Sequence, residues 1–123
     1  MDNHSIQVAR YILAFSWMYH GLFPKLITVA PIEKALTATI GLSDQASNLL
    51  TKTAGVSEII FGLLILVFYQ NQHLIKLNIF VLVSLCVFVA VQMPGLLIEA
   101  FNPVTTNLAL TGLSYILLRA KST

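Results

Sequence analysis

Apolar residues dominate four stretches of the chain, and each break between them is polar or carries proline or glycine. The first stretch, about 6–23, has Arg10 near its start and His20 near its end. Pro24 is expected to stop it, because proline lacks an N–H and its ring crowds the carbonyl four residues back. The second is expected over about 44–70. Ser43 suits its N-cap, Asp44 suits the helix dipole in the first turn, and Asn71-Gln72 marks its end. The third runs over about 74–92, interrupted early by Lys76 and Asn78 and closed by Pro94-Gly95. The fourth, about 103–119, opens with Asn102 as cap and Pro103 at the first helical position, where a missing N–H costs nothing.

Residues 24–54 form the one long connection. Within it, Pro31-Ile32-Glu33-Lys34-Ala35-Leu36 reads as a short interfacial helix, and Gly41 breaks the run that follows. No internal repeat and no alternating β pattern is visible.

Several of these apolar runs fall short of the roughly 20 residues that span a bilayer. Taken alone, each could be the core helix of a soluble bundle, but such a bundle needs a polar stripe on every helix. Residues 59–68 and 79–91 offer almost none. Composition decides the matter: 57% of residues are hydrophobic and 10% charged, against about 25% charged in a soluble domain. Mean hydropathy is +0.83, so lipid is the expected solvent. The expected fold is all-α: a single domain over 1–123 forming a transmembrane four-helix bundle of antiparallel up-down passes. A cleaved leader is the alternative for the first stretch. Its best cleavage-like site, Thr28-Val29-Ala30, is poor, so a retained helix is expected.

The formal net charge is only +2 and the basic residues are scattered, which leaves no nucleic-acid footprint. A single cysteine, Cys86, excludes an intramolecular disulfide and a cysteine metal site, and reads as a small buried hydrophobe. No metal site is expected.

Antiparallel passes fix which helix ends share a side. One side receives His20, Lys25, Glu58, Gln92, Glu99, Asn102 and Asn107; the other receives Arg10, His73, Lys76, Arg119 and Lys121 as a basic rim. His20, Lys25, Glu58, Gln92, Asn102 and Asn107 are therefore the candidate pocket or proton relay. A carboxylate about a turn inside an apolar helix costs a few kcal/mol unless it is paired or protonated. Glu58 needs a partner, and His20 or Lys25 can supply one. A His–Glu pair in a low-dielectric cleft suits proton transfer beside a reducible ligand, whereas an ion pair alone is a structural clamp. His20 is also the candidate haem ligand. His4 and His73 fall on the opposite side, so two axial histidines would require a second subunit. Asn102 and Pro103 read first as helix-starting chemistry; Gln92 and Asn107 also suit inter-helix hydrogen bonds, and Arg10 reads as a snorkelling rim residue. Trp17 and Tyr19 suit a membrane interface. On the termini side stand Arg10, Lys76, Arg119 and Lys121, with Lys25, Lys34 and Lys52 opposite, which leans toward cytoplasmic termini.

Trp17-Met18-Tyr19-His20-Gly21, then Pro24-Lys25, then Gly55-Val56-Ser57-Glu58 with Gly62, resembles the DoxX-like family. So does Pro94-Gly95 followed by Phe101-Asn102-Pro103-Val104-Thr105, and the resemblance runs over about residues 8–118 in the family's order. It implies a four-helix protein of the bacterial inner membrane. Some members are associated with quinone-linked oxidation, including a subunit of a thiosulfate–quinone oxidoreductase, and similar modules occur fused behind NAD(P)-binding dehydrogenase domains. A single cysteine leaves no pair within this chain, and no attached dehydrogenase domain is expected in it.

The function expected is thus a redox-associated membrane subunit whose polar pocket binds a quinone-like ligand or relays protons. A membrane or cytoplasmic oxidoreductase is the expected partner, and a homo-oligomer is compatible. The alternative class is a non-catalytic scaffold or assembly partner, built on small packing residues such as Ala54, Gly55, Ser84, Ala90, Ala109 and Gly112. A transporter-like oligomer is the third.

Overall fold

The computed structural model describes residues 2–28, 30–100 and 102–122, the side chains of 32, 121 and 122 excepted. Val29, Phe101 and the side chain of Lys121, which entered the expectations above, lie outside this description. The described residues form helices and connecting turns, with no strand among them. The α-helices are α1 (Asn3–Gly21), α2 (Pro31–Ala38), α3 (Asp44–Phe68), α4 (Gln72–Gln92) and α5 (Pro103–Ser122). A π-helical turn, Leu22–Ile27, follows α1, and a 3-10 turn, Pro94–Ile98, precedes α5.

Local chemistry explains most boundaries. Asp2 accepts the Ser5 amide at 2.7 Å and opens α1; Ser43 accepts the Ala46 amide at 3.2 Å and opens α3. Asn102 accepts the Thr105 amide at 3.0 Å at the start of α5. Asn71 does more than end α3: its side chain accepts the amides of His73 and Leu74 at 2.9 and 3.2 Å and so caps α4.

Pro24 does not stop the first helix. The chain runs on through the wide π turn, which relieves the crowding a proline causes in α geometry. The His20 carbonyl, which Pro24 has no N–H to satisfy, accepts the Lys25 ammonium at 3.4 Å instead.

The chain divides into two compact units, 1–13 with 65–123, and 14–64. In the first unit, Ile75, Asn78, Leu82 and Val89 make the buried face of α4, at helical spacing. Leu110, Ser114 and Leu117 supply the buried face of α5. Asn78 and Ser114, both fully buried, hydrogen-bond to each other, and Asn107 donates to the Leu82 carbonyl at 3.0 Å. Arg10 is not a snorkelling rim residue. It is part-buried, donating to the Leu66 carbonyl at 2.7 Å and to Gln7 at 2.8 Å, with its guanidinium 4.3 Å from the centre of the Tyr69 ring. A carbonyl in the last turn of α3 has no helical partner, and the guanidinium satisfies it.

In the second unit, Trp17 is only 6% exposed and meets Phe61 edge-on at 4.9 Å. The expectation of an interfacial Trp17 is thereby corrected: its ring packs inside the protein. In the first unit, Cys86 is only partly buried, less enclosed than the buried hydrophobe expected.

α3 and α4 are each long and apolar enough to cross a membrane. Only 22% of the most apolar window of each is buried, so neither is the enclosed core helix of a water-soluble fold. Phe80, Val87, Val91, Val67 and Leu49 are among the large apolar side chains left outward, a surface that water would not tolerate.

Candidate functional site

The candidate site lies in the second unit and begins with glycine. A Cβ on Gly21 would overlap the Gly55 carbonyl oxygen, and one on Gly55 would sit 2.7 Å from the Gly21 carbonyl oxygen. A Cβ on Gly62 would meet the Ala14 carbonyl oxygen at 2.8 Å. The backbones of α1 and α3 therefore touch, as small residues permit. That approach lays the Lys25 stem over Gly55, where a Cβ would meet the Lys25 Cβ at 2.9 Å.

From this position Lys25 reaches two carboxylates. Its Nζ lies 2.8 Å from Glu33 Oε1 on α2 and 3.3 Å from Glu58 Oε2 on α3. Side-chain exposures of 12% for Lys25, 16% for Glu58 and 20% for Glu33 shield all three from bulk water, so their charges interact strongly. One ammonium serves two carboxylates, which leaves the trio one negative charge in excess. The choice of partner for Glu58 is settled in favour of Lys25. His20 is exposed, with its imidazole near enough to Lys25 and Glu33 to feel their charges.

Of the six residues expected to share a pocket, His20, Lys25 and Glu58 are gathered in this unit. Gln92, Asn102 and Asn107 belong to the other unit, where they have separate duties. Gln92 ends α4 exposed, Asn102 caps α5 and donates to the Glu99 carbonyl at 3.0 Å, and Asn107 binds α4. Glu33 was missed. The available signal was its place in the first turn of a helix opening at Pro31, eight residues beyond Lys25.

A cavity of about 320 Å³ lies in the first unit, lined by Asn3, Ile6, Tyr69, Gln70, Leu117 and Ala120. None of the expected site residues lines it. Among the described residues, no three His, Cys, Asp or Glu side chains gather to hold a metal ion. His4 and His20 stand 16 residues apart on α1, about 24 Å along its axis, too far to ligate one haem.

No characterised protein and no solved structure matches the chain. The model of one sequence family matches residues 14–115, spanning α1 from Ala14 through most of α5. Together with the two long apolar helices, that match marks the chain as a small membrane protein, and it belongs to the DoxX-like family.

Proposed function

We propose that this chain crosses the bacterial inner membrane four times, by α1, α3, α4 and α5, with its termini in the cytoplasm. In this reading it serves a redox system as a proton-handling membrane subunit. The observation that carries the reading is Lys25 shared between Glu33 and Glu58 in a shielded setting beside His20. With two carboxylates on one ammonium, the trio keeps acceptor oxygens available to a proton donor. The His20 ring is a donor suited to a quinone carbonyl oxygen, and Glu58, held by Lys25, is an acceptor within the same group. A quinone-like head group thus fits the donor set. Bound there, it would supply the electron-carrying chemistry, while these side chains orient it and hold or release protons at its oxygens.

Binding of a ubiquinone analogue to purified protein tests this. Glu58→Gln and His20→Ala are expected to weaken binding about tenfold each, the worth of a charge-assisted hydrogen bond. Equal affinity in all three proteins overturns the pocket.

An assembly role is the second reading, favoured by an outward aromatic row that runs from α1 into the π turn. Phe15, Tyr19 and Phe23 are 61%, 47% and 46% exposed and meet in turn as tilted pairs, with ring centres 5.7 and 4.7 Å apart. Such a row suits the helix of an oxidoreductase subunit or of a second copy. A partner that co-purifies in stoichiometric amount and is lost on Tyr19→Ala supports it.

A further inference from the structure

Buried polar atoms without partners collect on one face of α3. Asn48 Oδ1, Thr51 Oγ1 and Glu58 Oε2 are each buried without a hydrogen-bond partner among the described residues, although Glu58 Oε2 faces the Lys25 ammonium. Their spacing of three and then seven residues puts them on one helical face, about 15 Å from end to end. Thr51 is only 2% exposed.

One polar side chain of α2 meets the same stretch of α3 directly, and a second reaches it through Lys25. Thr37 hydrogen-bonds Ser47, itself 4% exposed, and also donates to the Glu33 carbonyl at 3.0 Å. Glu33 in turn holds Lys25, which faces Glu58. The joint between α2 and α3 is therefore a polar seam. Its outer end, at Asp44 and Gln45, is exposed.

An orphaned buried hydroxyl or amide oxygen is costly, and native proteins meet that cost with buried water. Two such atoms, Asn48 Oδ1 and Thr51 Oγ1, stand in line between the exposed start of α3 and the Glu58 carboxylate, where water would satisfy both. We propose that the α2–α3 seam holds a string of bound water molecules running from the aqueous surface near Asp44 past Asn48 and Thr51 to Glu58. The string delivers protons to the Lys25–Glu58 pair. Thr51 and Asn48 are positioning residues, fixing water rather than touching a ligand. In its purpose the inference rests on the proton-handling reading above, but the water itself does not.

The test reads water directly, so its failure is separable from failure of quinone binding. Full-length protein in lipid bilayers is examined by solid-state NMR, transferring magnetisation from water to side chains. Thr51 and Asn48 are expected to fill as fast as exposed Lys52, and several-fold faster than Ala14, which is 1% exposed and apolar. Thr51→Val is expected to slow transfer to the Glu58 carboxyl at least twofold while Lys52 is unchanged. Thermal melting gives an independent reading. In a wet seam, Thr51→Val does not raise the melting temperature, because water already satisfies the hydroxyl. A raised melting temperature, or Thr51 filling as slowly as Ala14, overturns the proposal.

Discussion

Gly21 and Gly55 lie backbone against backbone where α1 crosses α3, each occupying the space a side chain on the other would need. This contact lets Lys25 stand close enough to α3 to reach Glu58. Helix propensity alone favours alanine over glycine by about 1 kcal/mol. Overpacking against a backbone atom costs about 1–3 kcal/mol and therefore prevails. Gly21→Ala and Gly55→Ala are each expected to lower the melting temperature of the detergent-solubilised protein. Gly112→Ala should raise it slightly, since a Cβ there meets nothing within 4 Å. Equal effects at the three positions would contradict the packing argument.

Lys25 has a larger share in stability than either carboxylate. Lys25→Met strands two negative charges, whereas Glu33→Gln or Glu58→Gln leaves one ion pair intact. For partly shielded groups the expected loss is about 2 kcal/mol for Lys25→Met and about half that for either glutamine variant. Reversible unfolding in mixed micelles, completed as a Lys25/Glu58 double-mutant cycle, measures the coupling. Additive losses would show that the pair is not coupled.

Asn78 and Ser114 make a fully buried hydrogen bond between α4 and α5. Ser114→Ala is expected to destabilise by about 0.6–2 kcal/mol, with the lower figure typical of bonds formed in lipid. Exposed Ser84→Ala on α4 should change little. A melting series with these two variants separates the burial effect from helix propensity.

The Asp2 carboxyl is held below its ordinary value of 3.8, chiefly by hydrogen bonds from Ser5. A depressed carboxylate stabilises the fold above its unfolded pKa and loses that contribution as pH falls through the folded value. The start of α1 should therefore fray on acidification below about pH 4 while remaining indifferent to pH above 5. The Ser5 amide chemical shift followed against pH reads this out, and Asp2→Asn should abolish the titration.

Membrane residence has its own check. Alkaline carbonate washing of membranes should leave the chain in the pellet, because the outward apolar faces of α3 and α4 have no aqueous alternative. Release into the supernatant would contradict it.

Sequence by itself determined the elements that depend on neighbours a few residues apart. Long apolar runs, Ser43, Asn102 and Pro103 as helix starters, and Pro31 opening a short helix are local chemistry, and the helices occur where those signals stand. It also singled out Glu58 as a carboxylate needing a cation, because desolvation raises that need wherever the chain goes next. Which cation answered, and that Glu33 joined it, was a tertiary decision. It depended on a π turn carrying the chain past Pro24 and on two glycines letting α1 and α3 touch. The same holds for the inward turn of Trp17, the capture of Arg10 by the end of α3, and the pairing of Asn78 with Ser114. A local pattern states what a residue requires; only packing brings distant parts of the chain within the 3 Å or so at which hydrogen bonds and ion pairs form.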